Sequence, residues 1–260
     1  MFLGIAVHYG TGLYREWNEY RAGEQVYEEL TQYVRLETPP TVQKLPEKPD
    51  PAHPTVPEEL PEEPEPATEP DDTVWPDVDF DALLAINPDV VAWIYIEGTK
   101  INYPVVQGED NSQYLDRLFD GRKNAAGSIF MDYRSQRDLS DRNTVFYGHR
   151  MNNGSMFYQI TEYKDQAFYE AHPVCLVMTP EGNYKLKFFA GYITDMNSQA
   201  WKLEFGSEEE YALWLENAVG QSTFTSGITP TPRDRVVTFS TCTYEYSDAR
   251  FVLVGILEAA

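Results

Sequence analysis

Short runs of apolar and β-branched residues, separated by turn residues, dominate the chain from Trp75 onward. The stretch VVAWIYIEGTKINYPVV has the pattern of two strands around a turn at residues 97–100. The other strand-like runs are SIFMDY, NTVFYGH, VCLVMT, YKLKFFAGYI, RVVTFSTC and RFVLVGIL. Many short strands with few helices are typical of a mainly β fold, so the pattern predicts a closed or nearly closed β-barrel with peripheral helices.

Two helices are predicted within this β-rich region. Residues 79–86 (DFDALLAI) form a short helix that ends at Asn87-Pro88, and the run SEEEYALWLENAV forms a longer helix that begins at Ser207. A serine followed three residues later by a glutamate resembles a capping box, which supports a helix start at this serine.

A further helix is predicted between Leu13 and Val34, ahead of the β-rich region. Its apolar residues recur at three-, four- and seven-residue steps and charged residues fill the gaps, which indicates an amphipathic helix. The apolar positions are Leu13, Trp17, Tyr20, Tyr27, Leu30 and Val34. The pattern fits either a stalk next to a membrane or a helix packed on the domain.

Residues 38–74 are dominated by Pro, Glu and Thr, and acidic residues outnumber lysines there ten to two. Such a segment buries too little apolar surface to offset its chain entropy, and its prolines and like charges favour an extended chain. We therefore expect a disordered acidic Pro/Glu linker. The chain is thereby divided into an N-terminal helical part (1–37), the linker (38–74) and a globular domain (75–260).

The net charge of −22 disfavours nucleic-acid binding, which needs a basic surface. The two cysteines and four histidines have no zinc-ligand spacing, so the sequence indicates no metal site. Cys175 lies within the apolar run VCLVM and is predicted to be a core thiol. A disulfide between Cys175 and Cys242 stays open at this point.

Cys242 ends the strand-like run VVTFSTC, a position that suits a reactive thiol. Strand alternation places Thr238, Ser240 and Cys242 on one face and Phe239 on the other. The next strand begins at Arg250, and antiparallel pairing can bring Arg250 opposite Cys242 at one rim. A nearby cation favours the thiolate, and a guanidinium offers two donors to a carbonyl oxygen or an oxyanion. Taken singly, Cys242 also fits a buried structural thiol, and Arg250 a surface charge.

His149 follows the predicted strand NTVFY and Gly148, ahead of a loop over residues 151–155. From there its imidazole could reach the same rim and exchange a proton with an amine. A lone histidine equally fits a hydrogen-bonded polar position, so both roles stay open. His172 precedes Pro173 and is predicted to be a turn residue.

Several motifs together resemble those of sortases. TFSTC, with an arginine eight positions after its cysteine, is similar to the TLxTC-type strand that carries the sortase nucleophile, with Phe239 in place of leucine. NTVFYGHRM resembles the family's histidine strand and has His149 at the matching position. INPDVVAWIYIEGTKINYPVVQG, AGSIFMDYRS and the helix SEEEYALWLENAV before the cysteine strand resemble class B members. The likeness extends from Trp75 to Leu257.

The resemblance implies an eight-stranded sortase-type barrel and a cysteine transpeptidase, so residues 75–260 would be its catalytic domain. Cys242 would attack the carbonyl of threonine in a C-terminal sorting motif and hold a thioester. His149 would act as general acid and base, and Arg250 would steady the carbonyl and the oxyanion. Ser240 and Thr241 would contribute to substrate binding. The chemistry would require no calcium or other cofactor.

The implied partners are surface proteins that bear the sorting motif. The acceptor would be an amine of a peptidoglycan precursor or cross-bridge, or a pilin lysine. The family's location would be the outer face of the cytoplasmic membrane of a Gram-positive cell. The N-terminal run MFLGIAV is far shorter than the roughly 20 residues of a spanning helix. It fits an ordinary apolar start or the end of a truncated anchor helix, and the resemblance favours the anchor.

Two other functions are compatible with the same residues. A cysteine peptidase would form the same acyl-enzyme and release it to water. A non-catalytic, surface-displayed β-barrel would bind a peptide or a wall component, and Cys242 would then be dispensable.

Overall fold

The structure, a computed structural model, describes residues 17–36 and 73–260. The run MFLGIAV, Leu13 and nearly all of the predicted acidic linker lie outside these ranges. The disorder of the linker and the division of the chain into three parts therefore stay predictions.

The described part of the N-terminal helix, α1, covers residues 17–30. A 3₁₀ turn (Thr31–Tyr33) follows and leads into strand β1 (Val34–Leu36), which pairs antiparallel with β2 (Pro76–Val78). The prediction that the helix continues to Val34 is wrong, because Val34 pairs with Val78 in this two-stranded sheet. That partner is distant in the sequence, so the local periodicity gave no sign of it.

Helix α1 packs on the barrel, which decides between the two alternatives left open by the sequence. Val26, Tyr27 and Leu30 are buried in the main hydrophobic core, whereas Trp17 is exposed. The Tyr27 hydroxyl donates a hydrogen bond to the carbonyl oxygen of Gly127 at 2.5 Å. The buried stripe of this helix is therefore shifted toward its C-terminal half.

Eight strands form a closed barrel, so the predicted fold class is confirmed. Around the barrel they follow the order β10-β8-β7-β3-β4-β5-β6-β9. The strands are β3 (Val90–Tyr95), β4 (Asn102–Val106), β5 (Ile129–Met131), β6 (Asn143–Tyr147), β7 (Val174–Thr179), β8 (Gly182–Thr194), β9 (Val236–Cys242) and β10 (Arg250–Ala259). The β4–β5 and β6–β9 pairs are parallel and the other neighbours are antiparallel.

Alternate residues of the barrel strands enter two different hydrophobic clusters. On β10, Phe251 and Leu253 belong to the main core, whereas Val252 and Val254 belong to a second cluster beneath an outer helix. On β9, Phe239 lies in the main core, where its ring stacks with those of Phe146 and Phe157 at centroid distances of 5.7 and 5.1 Å. Period-two alternation therefore separates the barrel interior from its helix-covered outer face.

Among the described residues, three more α-helices surround the barrel: α2 (Phe80–Ile86), α3 (Gln166–Ala171) and α4 (Glu208–Gln221). The α4 helix covers the second cluster and begins after Ser207, as predicted. The Ser207 hydroxyl accepts a hydrogen bond from the Glu210 backbone N–H at 3.2 Å, but the Glu210 carboxylate accepts one from Gly206. The capping box is thus complete on one side and displaced by one residue on the other.

Candidate active site

Three barrel strands bring the predicted catalytic residues to one edge. Strands β6 and β9 run parallel, with Tyr147 opposite Ser240, so their carboxyl ends meet at the same rim. Strand β10 runs antiparallel to β9 and starts there, with Arg250 directly opposite Cys242. The topology therefore places the ends that carry His149, Cys242 and Arg250 side by side.

Cys242 is partly exposed and its thiol is free. Phe239 points into the barrel core, so the strand alternation that separates it from Cys242 is confirmed. Cys175 is also free but fully buried, which confirms the predicted core thiol, and burial raises its pKa. The two cysteines form no disulfide.

His149 is held at the rim by its neighbours. A Cβ atom on Gly148 would lie 2.4 Å from Ile129 Cδ1 and 2.7 Å from Phe157 Cδ2, so only glycine allows this close approach. The backbone carbonyl of His149 accepts a hydrogen bond from the Phe157 N–H at 2.9 Å. Its Nε2 lies 2.7 Å from the Leu115 carbonyl oxygen. Because a carbonyl oxygen only accepts, Nε2 carries the proton and Nδ1 is the acceptor of the neutral ring.

The Arg250 guanidinium makes two local hydrogen bonds. Its Nη1 donates to the carbonyl oxygen of Ala249 at 3.0 Å, and its Nη2 donates to Met196 Sδ at 3.2 Å. Neither partner is a carboxylate, so the positive charge is not neutralised by an ion pair with either of them. A substrate carbonyl oxygen could take the place of these acceptors, because the guanidinium presents its donors in a fixed fork.

An open cavity of about 290 Å³ connects these side chains. The residues that line it are Asn111, Leu115, Phe130, Tyr147, Gly148, His149, Ser240, Thr241, Cys242 and Arg250. All five site residues predicted from the sequence therefore border one cavity. Its mixture of aromatic and apolar walls with a few polar groups is typical of a ligand site.

Ser240 and Thr241 are both buried, and their hydroxyls already have partners. Ser240 Oγ accepts a hydrogen bond from Trp201 Nε1 at 3.0 Å, which ties the segment before α4 to β9. Thr241, on the opposite face of β9 from Cys242, donates through Oγ1 to the Gly148 carbonyl oxygen at 2.7 Å. That bond fixes the backbone immediately before His149.

Four residues of the cavity wall had not been singled out from the sequence: Asn111, Leu115, Phe130 and Tyr147. Asn111 and Leu115 belong to the long β4–β5 connection, which has no periodic pattern to place it. Tyr147 occurs in the motif NTVFYGHRM, next to Gly148 and His149, and Phe130 occurs in the motif AGSIFMDYRS, so these two motifs were the available signals.

Within residues 17–36 and 73–260, no group of three or more His, Cys, Asp or Glu side chains could hold a metal ion. Within the same ranges, no helix combines the length and the apolar character required to cross a bilayer.

Comparison with known proteins identifies the family. The sortase domain family matches residues 94–258. Sortase B of Staphylococcus aureus is 36% identical over 178 residues, which cover 68% of this chain and 73% of that protein. A structure of the Staphylococcus aureus sortase B–substrate complex has a TM-score of 0.67 and 34% identity, covering 70% of this chain and 85% of that chain. A sortase B complexed with triglycine has the same TM-score and identity, covering 70% and 86%.

The family match begins within β3, covers the strands from β4 to β9 and nearly all of β10, and includes His149, Cys242 and Arg250. The resemblance to class B sortases that the motifs indicate is thereby confirmed. The chain belongs to the sortase family and is similar, within it, to the class B enzymes.

Proposed function

We propose that this chain is a cysteine transpeptidase. It cleaves the C-terminal sorting motif of surface proteins after threonine and transfers the acyl group to a cell-wall amine. The proposal rests on one observation: Cys242, His149 and Arg250 line the same open cavity. Pairing of β6 with β9 and of β9 with β10 brings them together there.

In the first half-reaction, the Cys242 thiolate attacks the threonine carbonyl carbon, and the carbonyl oxygen becomes an oxyanion. Arg250 stabilises this charge with the guanidinium N–H groups that now contact Ala249 and Met196. The carbon–nitrogen bond then breaks, and the leaving amine takes a proton from the His149 imidazolium. A thioester on Cys242 and the shortened amine product result.

In the second half-reaction, an amine attacks the thioester and gives its proton to neutral His149. The carbon–sulfur bond breaks and the Cys242 thiolate is restored. With Nε2 bound to the Leu115 carbonyl, Nδ1 is the position that exchanges the proton in both steps. The relative complexed with triglycine supports a glycine amine as the acceptor class.

We place the site of action at the outer face of the cytoplasmic membrane, where surface proteins and wall precursors meet. Membership of the same family as the sortase B of Staphylococcus aureus supports this location.

The test is incubation of the protein with a library of threonine-containing sorting peptides and triglycine, followed by mass spectrometry. We expect an amide product that joins the peptide, cut after threonine, to triglycine. Cys242→Ala should yield none, and the matched control Cys175→Ala should keep the activity, because Cys175 is fully buried away from the cavity.

Two outcomes would contradict the proposal. Release of the free acid alone, with triglycine present, would indicate a cysteine peptidase. Peptide binding that is the same in the wild type and in Cys242→Ala, with no product from any peptide, would indicate a non-catalytic binding barrel.

A further inference from the structure

Asp132 is a buried carboxylate just beyond the end of β5. Its side chain is 0% exposed, and its backbone N–H donates to the Val145 carbonyl, which extends the β5–β6 pairing. Such a group is costly to bury unless every lone pair has a partner. The arrangement of those partners therefore indicates what the residue does.

The Asp132 carboxylate holds two residues of the cavity wall. Its Oδ2 accepts hydrogen bonds from Asn111 Nδ2 and from the Tyr147 hydroxyl, each at 3.0 Å. Asn111 belongs to the β4–β5 connection and Tyr147 ends β6, so one oxygen atom joins two separate elements. Both residues line the cavity that also contains Cys242, whereas Asp132 does not.

Arg134 neutralises this carboxylate from the solvent side. Its Nε donates to Oδ1 at 2.9 Å and its Nη2 to Oδ2 at 2.8 Å, and its side chain is 50% exposed. Burial alone would raise the pKa of Asp132, but the bonds from Arg134 and Asn111 outweigh it and lower that pKa. Burial and the adjacent carboxylate raise the pKa of Tyr147, so its phenol stays a neutral donor.

These bonds leave a specific pattern of polar atoms for a ligand. Tyr147 uses its only proton on Asp132, so its oxygen can act only as an acceptor toward the cavity. Asn111 Oδ1 accepts from the Tyr133 N–H at 3.0 Å and one amide N–H binds Asp132, which leaves the second N–H as a donor. One donor beside one acceptor matches a backbone peptide group.

We infer that Asp132 is a positioning residue, which orients Asn111 and Tyr147 to bind a peptide group of the sorting motif opposite Cys242. The inference rests on the proposed function, since it names how that peptide substrate is held. Asp132 itself contacts neither the substrate nor the reacting atoms.

The test compares Asp132→Asn with Asp120→Asn in the peptide–triglycine assay. Asp120 forms a similar i, i+2 ion pair with Arg122 on the exposed surface, which makes it a matched control. We expect Asp132→Asn to lower kcat/KM by about 10- to 100-fold, chiefly by raising KM, as expected when a substrate is misplaced. The rate of Cys242 alkylation by iodoacetamide should not change, and Asp120→Asn should alter neither quantity.

A double-mutant cycle with Tyr147→Phe tests whether Asp132 acts through its partners. The combined loss in Asp132→Asn/Tyr147→Phe should be clearly smaller than the product of the single losses. If Asp132→Asn does not fold, Arg134→Gln takes its place, because it weakens the same network from the exposed side. We expect it to raise KM about threefold, with Arg122→Gln as its control.

An unchanged KM in a folded Asp132→Asn variant would overturn the inference, as would fully additive losses or slower alkylation of Cys242. If the wild-type chain makes no product, the proposed function fails separately. Whether Asp132 orients Asn111 is then tested on its own by the Asn111 side-chain amide resonances in a ¹H–¹⁵N spectrum. Asp132→Asn should shift them and Asp120→Asn should not, and the absence of a shift would refute it.

Discussion

Arg250 lies directly opposite Cys242 in the β9–β10 register, and its guanidinium has no carboxylate partner among its hydrogen bonds. We therefore predict that Arg250→Ala lowers kcat by about 10²–10³, as is typical when a donor to an oxyanion is lost. Arg250→Lys should recover only part of this loss, because a point charge lacks the forked geometry of the guanidinium. Steady-state kinetics with the sorting peptide measure kcat for both variants. Full activity in Arg250→Lys would exclude the role assigned to the guanidinium.

At the scale of single residues, the sequence was informative where strand alternation decides an orientation. Alternation separated Cys242 from Phe239, and the apolar neighbours of Cys175 predicted a buried thiol. The hydrogen bond from Thr241 to Gly148 and the network around Asp132 could not be predicted, since both join residues of different elements that lie apart in the sequence. Such contacts depend on which strands become neighbours, and no local pattern encodes that choice.

An ion pair links the connection between β9 and β10 to the 3₁₀ helix Phe157–Lys164. Lys164 pairs with Glu245 and donates a hydrogen bond to Thr243 Oγ1 at 3.0 Å. Partial burial would raise the pKa of Glu245, but the bonds from Lys164 and Thr243 outweigh it and lower that pKa to about 2. The loop that joins Cys242 to Arg250 is thereby held against the barrel.

Because the pKa of Glu245 is lowered, the bonds of its carboxylate stabilise the fold at pH values above 4.5, the ordinary pKa. This stabilisation is lost as the pH falls from 4.5 toward 2. We predict that Glu245→Gln lowers the free energy of unfolding at pH 6 by about 0.5–1 kcal/mol, a small value because solvent screens this partly exposed pair. The difference should shrink steadily between pH 4.5 and pH 3 in urea titrations. Glu181→Gln is the exposed control, and a difference that does not vary with pH would contradict the account.

At the scale of elements, the helix after Ser207 and the barrel strands followed from periodicity and capping. The β1–β2 pair could not be predicted in this way, because each strand has only three residues and the two strands lie on opposite sides of the acidic linker in the sequence. The 3₁₀ helix Phe157–Lys164 was also missed. Its short turns give no 3.6-residue period, although its Phe157 ring stacks on Phe239 in the core.

For the whole molecule, the docked helix α1 enlarges the main core beyond the barrel. Leu30 is only 5% exposed, whereas Glu28, on the same helix, is exposed. We predict that Leu30→Ala lowers the free energy of unfolding by about 2–3 kcal/mol, the usual cost of emptying a buried leucine site. Glu28→Ala should change it by less than about 0.5 kcal/mol. Equal values for the two variants in urea denaturation would mean that the helix does not stay docked in solution.

The barrel topology explains why three residues far apart in the sequence form one site. Two parallel strands end at the same rim and the antiparallel strand β10 begins there, so closure of the barrel itself assembles the site. Short motifs predicted the members of this site through a family resemblance. The closure order that brings them together is visible only in the structure.

The intact mass of the protein after brief mixing with a sorting peptide, without any amine, tests the central claim most directly. We predict an added mass equal to the peptide up to its threonine, located on Cys242 by digestion and removed by triglycine with formation of an amide. Cys242→Ala should gain no mass under the same conditions. A persistent absence of the acyl mass on Cys242, across the whole peptide library and with the folded protein, would contradict the account.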